Sequence, residues 1–561
     1  MTNSYCVADY LLARLTERGV GHVFGVPGDY SLGLLDRILA TDGLEWVGTT
    51  NELNAAYAAD GYARRECARG GPGLGVLATT LGVGELSAIN GVAGSAAEQV
   101  PVLQITGAPA TAVVEASAAA HHTYGDGDFR RFARAYGEVV HARAWPSAAD
   151  APAEIDRVLT EALRHRMPVH LTLNADVVSA PCAPPAAPLE VEDVSDPDAL
   201  HELAGHVRRR LDEAGGPAGV VVLAGHLADR FGQGARLREL VADGGVRSAT
   251  LHRGKGVLDE SDPRFLGLYA GELTPGVAEV VAAAPLVVGV GGPGPDGVVV
   301  FTAPPEDPAR PVLVVEPGLV RAGADEFAPV ALGDALAVIT AELRRHPRAT
   351  APATPARTRP EVPAERLDQR ALWTTIEQWL RPGDLLAAES GTPYYGALAI
   401  RLPARSGFLA QGLWSSIGYT LPALLGAQLA APTDPGRAVL VIGDGSVQLT
   451  AQELGTFGRR GLAPVVVVVD NRGYTVERAI HHPEAAYHDV AAWDWQELPA
   501  ALGLGDALVV RAETVPALAA ALDKARDDPH RPCVVQAVLP EEDAPELLTA
   551  VAAVVARRNA Y

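Results

Sequence analysis

Two short polar segments in the last third of the chain contain groups that could bind a divalent cation. One is Gly-Asp-Gly-Ser at residues 443–446, and the other is Asp-Asn-Arg-Gly-Tyr at residues 470–474. Asp444 offers a carboxylate, Asn471 an amide oxygen and the backbone near Gly473 a carbonyl oxygen. Magnesium prefers a few hard oxygen ligands of this kind and completes its octahedron with phosphate oxygens and water. The spacing therefore predicts a magnesium site that also holds a phosphate group.

The elements before these segments would place them at one edge of a sheet. Residues 438–442 and 465–469 are continuous apolar runs that end at the two polar segments. Such runs are typical of parallel strands buried on both faces, and open α/β sheets bind ligands at the C-terminal ends of their strands. Gly445 and Ser446 would let backbone N–H groups approach a diphosphate at the start of the next helix. Each segment alone could be an ordinary turn, but their combination favours a site.

The pair of segments resembles the thiamine diphosphate motif, in which G-D-G is followed by N at about this distance. A second feature lies where that family has an acid. Glu52, within Thr-Asn-Glu-Leu-Asn at residues 50–54, follows a short strand and opens an alanine-rich helix. Thiamine catalysis needs an acid beside the aminopyrimidine ring, and desolvation at an enclosed helix start would raise the pKa of this glutamate. Alternatively Glu52 only stabilises the helix N-terminus; the metal motif favours the catalytic role.

Further positions make the chain similar to the 2-oxo acid decarboxylases, a family of pyruvate, indolepyruvate, phenylpyruvate and branched-chain enzymes. Asp29 ends Gly-Val-Pro-Gly-Asp, and His121 and His122 open His-His-Thr-Tyr-Gly-Asp-Gly-Asp-Phe. Glu477 ends Tyr-Thr-Val-Glu, and Ile417 lies in Trp-Ser-Ser-Ile-Gly, where the family has the apolar residue that bends the cofactor. The resemblance covers nearly the whole chain, is weakest in the middle third and is greatest to the indolepyruvate decarboxylase type.

The resemblance implies four groups of site residues. The catalytic acids and bases are Asp29, Glu52, His121, His122 and Glu477. The residues that bind thiamine diphosphate are Glu52, Thr80, Ser390, Thr392, Ser415, Ile417, Asp444, Gly445, Ser446, Asn471, Gly473 and Tyr474. The ligands of the Mg²⁺ ion are Asp444, Asn471 and Gly473. The substrate pocket is formed by Tyr394, Tyr395, Val476 and Ile480.

The implied reaction is the non-oxidative decarboxylation of an aromatic or branched-chain 2-oxo acid to an aldehyde and CO₂. Thiamine diphosphate supplies the electron sink, so the protein has to orient the substrate and move protons. Val476 stands where pyruvate-specific enzymes tend to carry isoleucine, and a wall that lacks one methylene favours a bulkier substrate. Tyr394 and Tyr395 could narrow the pocket, which makes phenylpyruvate or a branched chain easier to place than indolepyruvate.

Other functions remain open from the sequence. A thiamine-dependent carboligase of the acetolactate synthase kind would share Glu52 and the Asp444–Asn471 motif, but the histidine pair and Glu477 are not expected in it. A pyruvate decarboxylase would differ in its substrate preference alone. A binding or regulatory module without turnover is disfavoured, because all the proton-transfer residues are present.

The composition is that of a soluble globular protein of 561 residues, with 48% hydrophobic and 20% charged residues. The net charge of −22 argues against nucleic-acid binding, which depends on clustered Lys and Arg. The four cysteines form no C-x-x-C pair, which is typical of a reducing cytosol. The N-terminus does not read as a signal peptide, and the apolar runs are too short for a membrane span. We expect a cytoplasmic protein.

Two proline-rich segments, 180–196 and 347–363, divide the chain into thirds of similar length. Each third alternates β-branched runs with longer amphipathic stretches, which predicts three doubly wound parallel-sheet α/β domains. We expect a pyrimidine-binding domain at 1–180, a central domain at 196–346 and a domain for diphosphate and Mg²⁺ at 364–561. The resemblance implies a homodimer or homotetramer with active sites between subunits. One subunit would contribute Asp29, Glu52, His121 and His122, and its partner Asp444, Asn471 and Glu477.

Overall fold

The structure is a computed structural model that describes residues 5–191, 194–292, 312–350 and 366–558. It contains three α/β sheets in chain order, which confirms the predicted fold class. The chain forms two compact units. The first comprises Met1–Glu192, Leu413–Thr433 and Thr450–Arg460, and the second comprises Asp193–Gly412, Asp434–Leu449 and Gly461–Tyr561.

The first sheet is parallel throughout and has the strand order β2-β1-β3-β4-β6-β5. Its middle strands β3, β4 and β6 are buried at every residue, which is the reason for their continuous apolar sequences. The elements of this part are α1 (Val7–Glu17), β1 (His22–Gly25), α2 (Leu32–Leu39), β2 (Glu45–Gly48), α3 (Glu52–Ala68), β3 (Gly75–Thr80), α4 (Val83–Ala97), β4 (Val102–Ala108), α5 (Thr111–Glu115), α6 (Arg131–Tyr136), β5 (Ala142–Ala144), α7 (Ala151–His165), β6 (Val169–Asn174) and α8 (Ala175–Val178).

The second sheet has the order β13-β12-β11-β10-β7-β8-β9. Its elements are α9 (Pro197–Glu213), β7 (Val220–Ala224), α10 (Leu227–Arg230), α11 (Gly234–Gly244), β8 (Arg247–Thr250), β9 (Phe265–Leu268), α12 (Pro275–Ala282), β10 (Leu286–Val290), β11 (Val312–Glu316), β12 (Gly318–Ala322), β13 (Asp325–Val330) and α13 (Leu332–Leu343). We expected a sheet that is parallel throughout. Strand β12 instead pairs antiparallel with both β11 and β13. The reason is local, because Gly318 with φ of 83° and Gly323 with φ of 65° reverse the chain in connections too short for a crossover.

The third sheet is parallel throughout, in the order β15-β14-β16-β17-β19-β18. The two apolar runs identified in the sequence form its central strands β16 and β17. The elements of this part are α14 (Gln369–Trp379), β14 (Leu385–Ala388), α15 (Thr392–Ala399), β15 (Gly407–Leu409), α16 (Thr420–Ala430), β16 (Ala438–Gly443), α17 (Asp444–Val447), α18 (Leu454–Arg459), β17 (Val465–Asp470), α19 (Thr475–Ile480), α20 (Leu498–Ala501), β18 (Leu508–Ala512), α21 (Val515–Asp527), β19 (Cys533–Val538) and α22 (Glu546–Arg558).

Helices α3 and α16 cross closely within the first unit, and two glycines permit the approach. A Cβ atom at Gly61 of α3 would collide with the carbonyl oxygen of Ala423. A Cβ atom at Gly426 of α16 would collide with the carbonyl oxygen of Ala58. The crossing therefore depends on the absence of a side chain on both helices.

Each of the three predicted domains carries one sheet, but helices α16 and α18 of the predicted third domain belong to the first unit. The boundaries 1–180, 196–346 and 364–561 remain a prediction. Residues 192–193 of the first proline-rich segment and 351–363 of the second lie outside the described residues. In the part of the chain that the structure describes, no helix has both the length and the apolar character that a membrane crossing requires.

Candidate functional site

Glu52 is the first residue of α3 and lies against the beginning of α4. Asn51 caps α3, because its side-chain oxygen accepts the backbone N–H of Asn54 over 2.8 Å. The carboxylate of Glu52 approaches Gly84 so closely that a Cβ atom there would lie 3.1 Å from Oε1. Burial raises the pKa of Glu52 above its ordinary value. The direction of this shift makes Glu52 easier to protonate than a solvated glutamate, which is the direction expected for an acid beside the aminopyrimidine ring.

Thr80 ends β3 on the other side of Gly84, where a Cβ atom would lie 3.2 Å from Thr80 Cγ2. The Thr80 hydroxyl is buried and has no hydrogen-bond partner among the described residues. A buried polar atom without a partner is costly unless a ligand or a water satisfies it. Gly28 packs on the same threonine, because a Cβ atom added at position 28 would lie 2.5 Å from Thr80 Cβ. Thr80 and Glu52 thus offer a hydroxyl and a protonatable carboxyl side by side, which fits a polar heterocycle such as the aminopyrimidine of thiamine diphosphate.

Asp29, His121 and His122 come together on the surface of the first unit. His121 Nε2 lies 2.9 Å from Asp29 Oδ2, and His122 Nε2 lies 3.9 Å from Asp29 Oδ1. Asp29 begins a one-turn 3₁₀ helix directly after Gly28. His122 has a left-handed φ of 62°, and its carbonyl oxygen fills the space that a side chain at position 82 would need. The structure therefore assembles three of the predicted acids and bases into one cluster.

The predicted cofactor contacts Ser415 and Ile417 lie on a loop that also belongs to the first unit. The buried carboxylate of Glu98 accepts the backbone N–H groups of Leu413 and Trp414, at 2.6 and 3.2 Å. Two side-chain hydrogen bonds hold the same loop. The hydroxyls of Tyr57 and Ser416 are 2.6 Å apart, and the indole N–H of Trp414 donates to Asn90 Oδ1 over 3.1 Å. The loop that carries Ile417 is thus fixed at several points, and Ser415 within it adopts a left-handed φ of 56°.

Asp444 and Asn471 follow the paired strands β16 and β17 in the second unit, as predicted. Asp444 is 3% exposed, and its Oδ1 accepts the backbone N–H of Gly445 over 2.7 Å. Burial raises the pKa of Asp444 to about 7, while backbone N–H groups of Arg472 and Gly473 work in the opposite direction. These N–H groups show that the two polar segments meet at the Asp444 carboxylate. A buried carboxylate whose pKa is raised by burial fits a divalent cation, which would favour its charged form.

The loop after β17 is shaped by residues of α19. Arg478 is buried and donates to the carbonyl oxygens of Asn471 and Arg472, at 3.2 and 2.9 Å. Its guanidinium also donates to Asp489 over 2.9 Å. Gly473 has φ of 141°, and a Cβ atom there would collide with the His488 carbonyl oxygen. No motif in the sequence distinguishes Arg478, because its contacts with the loop depend on the fold.

The ring of Tyr474 lies against the first polar segment. A Cβ atom at Gly445 would lie 2.5 Å from Tyr474 Cε1. Gly445 and Ser446 are buried in the short helix α17. Glycine at 445 is therefore required for the approach of this tyrosine, and the predicted cofactor contacts Gly445, Ser446 and Tyr474 lie close together.

Tyr395, Val476 and Glu477 lie close together, whereas Tyr394 has a different environment. Burial, followed by the negative charge of Glu477, raises the pKa of Tyr395. Val476 Cγ2 lies 4.0 Å from the Cβ position of Gly391, at the start of α15. The Tyr394 hydroxyl is instead bonded to His252 Nδ1 over 2.9 Å, and Tyr394 is 8% exposed. Consecutive helical residues point in different directions, so the two tyrosines have different neighbours, and the prediction that both line the pocket stays a prediction.

The remaining predicted contacts lie at or next to the ends of three elements, β14, α15 and α19. Ser390 follows β14, and its hydroxyl donates to the Gln411 carbonyl oxygen over 3.3 Å. Thr392 is buried as the first residue of α15, and Ile480 is the last residue of α19. The structure therefore collects the predicted residues into two groups, one in each compact unit.

Two protein-family models match the chain. The N-terminal TPP binding domain of thiamine pyrophosphate enzymes matches residues 6–128, and the C-terminal TPP binding domain matches residues 391–537. An X-ray structure of a protein isolated from Mycobacterium smegmatis has a TM-score of 0.76 and 23% identity, and covers 96% of this chain and 100% of that chain. At this identity the likeness bears on the fold alone. Fold and site together define a thiamine pyrophosphate enzyme.

Curated relatives narrow this class. An alpha-keto-acid decarboxylase of Mycolicibacterium paratuberculosis is 45% identical over 553 residues, which cover 97% of this chain and 96% of the relative. An alpha-keto-acid decarboxylase of Mycobacterium ulcerans is 44% identical over 97% of this chain and 95% of its own length. The chain belongs to the thiamine pyrophosphate-dependent alpha-keto-acid decarboxylase family.

Proposed function

We propose that the protein decarboxylates a 2-oxo acid without oxidation, with thiamine diphosphate and Mg²⁺, and releases an aldehyde and CO₂. The observation that carries the proposal is the Asp29–His121–His122 cluster, which occurs in the same unit as Glu52 with its raised pKa. The names of the relatives agree with this reaction.

Each group of residues has a role in this proposal. Thiamine diphosphate, when bound, supplies the nucleophilic carbon and the electron sink for loss of the carboxylate. Asp444, Asn471 and the Gly473 carbonyl would hold Mg²⁺, which would supply positive charge for the diphosphate. Glu52, whose pKa is raised by burial, would hold a proton beside the aminopyrimidine ring.

Proton transfer at the substrate is the task of the exposed acids and bases. His121 and His122, which lie beside Asp29, would serve the two proton transfers that the reaction needs at the substrate, one that gives a proton and one that takes a proton. Glu477 lies at the start of α19 and adds a carboxyl group on the side of Val476 and Tyr395. These four groups supply both an acid and a base for the two proton transfers.

The test of this function is an assay for CO₂ and aldehyde with a panel of 2-oxo acids, with acyloin and acetolactate measured in the same reactions. We expect stoichiometric CO₂ and aldehyde from at least one substrate. Acetolactate as the main product, together with the absorbance of a bound flavin, would support the carboligase alternative. Absence of CO₂ from every substrate in the presence of thiamine diphosphate and Mg²⁺ would refute catalysis.

For the substrate, we propose an aromatic or branched-chain 2-oxo acid. The support is Val476 of α19, which lies near Gly391 at the start of α15. An isoleucine at position 476 would add one methylene to the proposed pocket wall and leave less room for the substrate side chain. The measurement is the specificity constant kcat/KM for phenylpyruvate, indolepyruvate, 4-methyl-2-oxopentanoate and pyruvate. A preference for pyruvate by tenfold or more would reject the substrate proposal and leave the decarboxylase proposal intact.

We further propose a cytoplasmic homodimer or homotetramer with active sites that combine residues of two subunits. The structure shows no disulfide among Cys6, Cys67, Cys182 and Cys533, all of which it describes, and this suits a reducing compartment. Mixing inactive Glu52→Gln and Asp444→Ala chains should restore part of the activity when subunits exchange. A fully active monomer at high dilution would contradict this arrangement.

A further inference from the structure

We propose that Tyr30 is a positioning residue that holds His121 in one orientation and one tautomer. The inference rests on the proposed function, in which His121 moves a proton at the substrate. Tyr30 follows Asp29 in the 3₁₀ turn, and the sequence analysis assigned it no role. Its hydroxyl lies 3.1 Å from His121 Nδ1 and 3.4 Å from the carbonyl oxygen of the same histidine.

The two nitrogens of His121 have different partners. Asp29 lies 2.9 Å from Nε2, and an ionised carboxylate can only accept a hydrogen bond. Nε2 of the neutral imidazole therefore carries the proton, and Nδ1 presents its lone pair to the Tyr30 O–H. A tyrosine hydroxyl is an O–H donor at neutral pH, and burial followed by the negative charge of Asp29 raises the pKa of Tyr30 further. Asp29 and Tyr30 together specify the tautomer.

Ring contacts restrict the same side chain. The ring of Tyr30 stacks on His121 with centroids 4.8 Å apart and an interplanar angle of 29°. It also meets His122 edge-on, with centroids 6.1 Å apart. A rotated His121 ring would lose the stacking, the contact of Nδ1 with Tyr30 and the contact of Nε2 with Asp29 together.

Tyr30 is fixed by the scaffold. Gly107 of β4 allows its backbone to pass, because a Cβ atom at 107 would lie 2.6 Å from the Tyr30 carbonyl oxygen. The Tyr30 ring packs on an apolar cluster that includes Leu81, Phe129 and Phe132. The histidines, in contrast, lie in a segment without regular secondary structure between α5 and α6. Tyr30 therefore connects His121, in this irregular segment, to residues that are packed against the first sheet.

The test compares Tyr30→Phe with Tyr124→Phe. Both changes remove one phenolic hydroxyl, and Tyr124 is an exposed residue of the histidine segment whose ring faces Phe132. The first measurement is the rate at which diethyl pyrocarbonate modifies His121, followed by mass spectrometry of the peptide. We expect Tyr30→Phe to raise this rate severalfold because Nδ1 loses its partner, and Tyr124→Phe to leave it unchanged. An unchanged rate in Tyr30→Phe overturns the proposal.

The second measurement is steady-state kinetics together with cofactor affinity. We expect kcat of Tyr30→Phe to fall about tenfold, less than the 10²–10⁴-fold typical of removing an acid–base group itself. KM and the Kd for thiamine diphosphate should stay unchanged. A fall in kcat that is accompanied by a lower Tm and by faster proteolysis between α5 and α6 would assign Tyr30 a merely structural role and overturn the proposal. If the wild-type protein releases no CO₂, the proposed function fails, but the modification rates still decide whether Tyr30 holds His121.

Discussion

Asn471 donates its side-chain N–H to the Thr475 hydroxyl over 2.8 Å. Thr475 in turn donates to the Glu541 carbonyl oxygen over 2.6 Å, so the order of donors and acceptors is fixed. Because the amide nitrogen is engaged, Oδ1 is the side-chain atom of Asn471 that is left for a cation. The orientation of this ligand is therefore set by the protein before any metal binds, as is common for metal sites with structured surroundings.

Removing the Thr475 hydroxyl should weaken the proposed metal site. In Thr475→Val the amide of Asn471 can rotate, and we expect Mg²⁺ affinity in the presence of thiamine diphosphate to fall by about 10–100-fold, the usual effect of losing a group that orients a ligand. The measurement is a Mg²⁺ titration followed by tryptophan fluorescence. Thr549→Val is the control, because it also removes a threonine hydroxyl that donates to a carbonyl oxygen, that of Pro545. Equal affinity in the two variants would contradict the role of Thr475.

Loss of the Asp444 carboxylate should have a larger effect. Asp444→Ala removes a proposed ligand itself, so we expect Mg²⁺-dependent binding of thiamine diphosphate to weaken by more than the roughly 100-fold upper effect of losing an orienting group. Asp523→Ala, an exposed change on α21, should bind the cofactor like the wild-type chain. Cofactor affinity that is unchanged in Asp444→Ala would remove this residue from the site.

Glu52→Gln should separate binding from turnover. The amide can still form a hydrogen bond with the aminopyrimidine ring but cannot transfer a proton, so we expect the cofactor to bind while kcat falls by about 10²–10⁴-fold. Glu66→Gln is a matched control, because burial also raises the pKa of Glu66, on the same helix. A Glu52→Gln variant within threefold of the wild-type rate would exclude Glu52 from the mechanism.

The sequence predicts those features that depend on neighbouring residues. Strands β16 and β17 and the turns at Asp444 and Asn471 follow from apolar runs that end in turn residues. The cap of α3 at Asn51 is equally local. Each of these features is specified within a few residues, so the positions of the polar segments could be predicted without the fold.

The features that escaped prediction are contacts between distant residues. Tyr30 and His121 are 91 positions apart, and Tyr394 and His252 are 142 apart. No periodicity or motif in the sequence specifies such a pair, because each depends on how loops from different strands meet. The antiparallel strands β12 and β13 escaped for another reason, since alternating polar residues at a sheet edge resemble connecting segments.

The close crossing of α3 and α16 gives a prediction about stability. Gly426→Ala places a methyl group against the Ala58 carbonyl oxygen, and forced overpacking of this kind costs about 1–3 kcal/mol. We expect a lower Tm by differential scanning calorimetry. The control is Gly205→Ala in α9, where the nearest atom within 4 Å belongs to the flexible end of Arg209 at 3.8 Å. Alanine there should stabilise the helix by about 0.5–1 kcal/mol. A Gly426→Ala variant as stable as Gly205→Ala would show that the two helices separate without cost.

Val476→Ile tests the substrate pocket without touching a proton-transfer group. The change adds one methylene to a side chain whose Cγ2 lies 4.0 Å from the Gly391 Cβ position, and Val476 precedes Glu477, whose charge acts on Tyr395. One methylene in an apolar pocket shifts selectivity by about 1–3 kcal/mol. We therefore expect the ratio of kcat/KM for phenylpyruvate to that for pyruvate to fall by at least about tenfold, with the Kd for thiamine diphosphate unchanged. Val194→Ile adds the same methylene at an exposed position and should leave the ratio as it is. If the ratio in Val476→Ile matches that control, Val476 does not contact the substrate side chain.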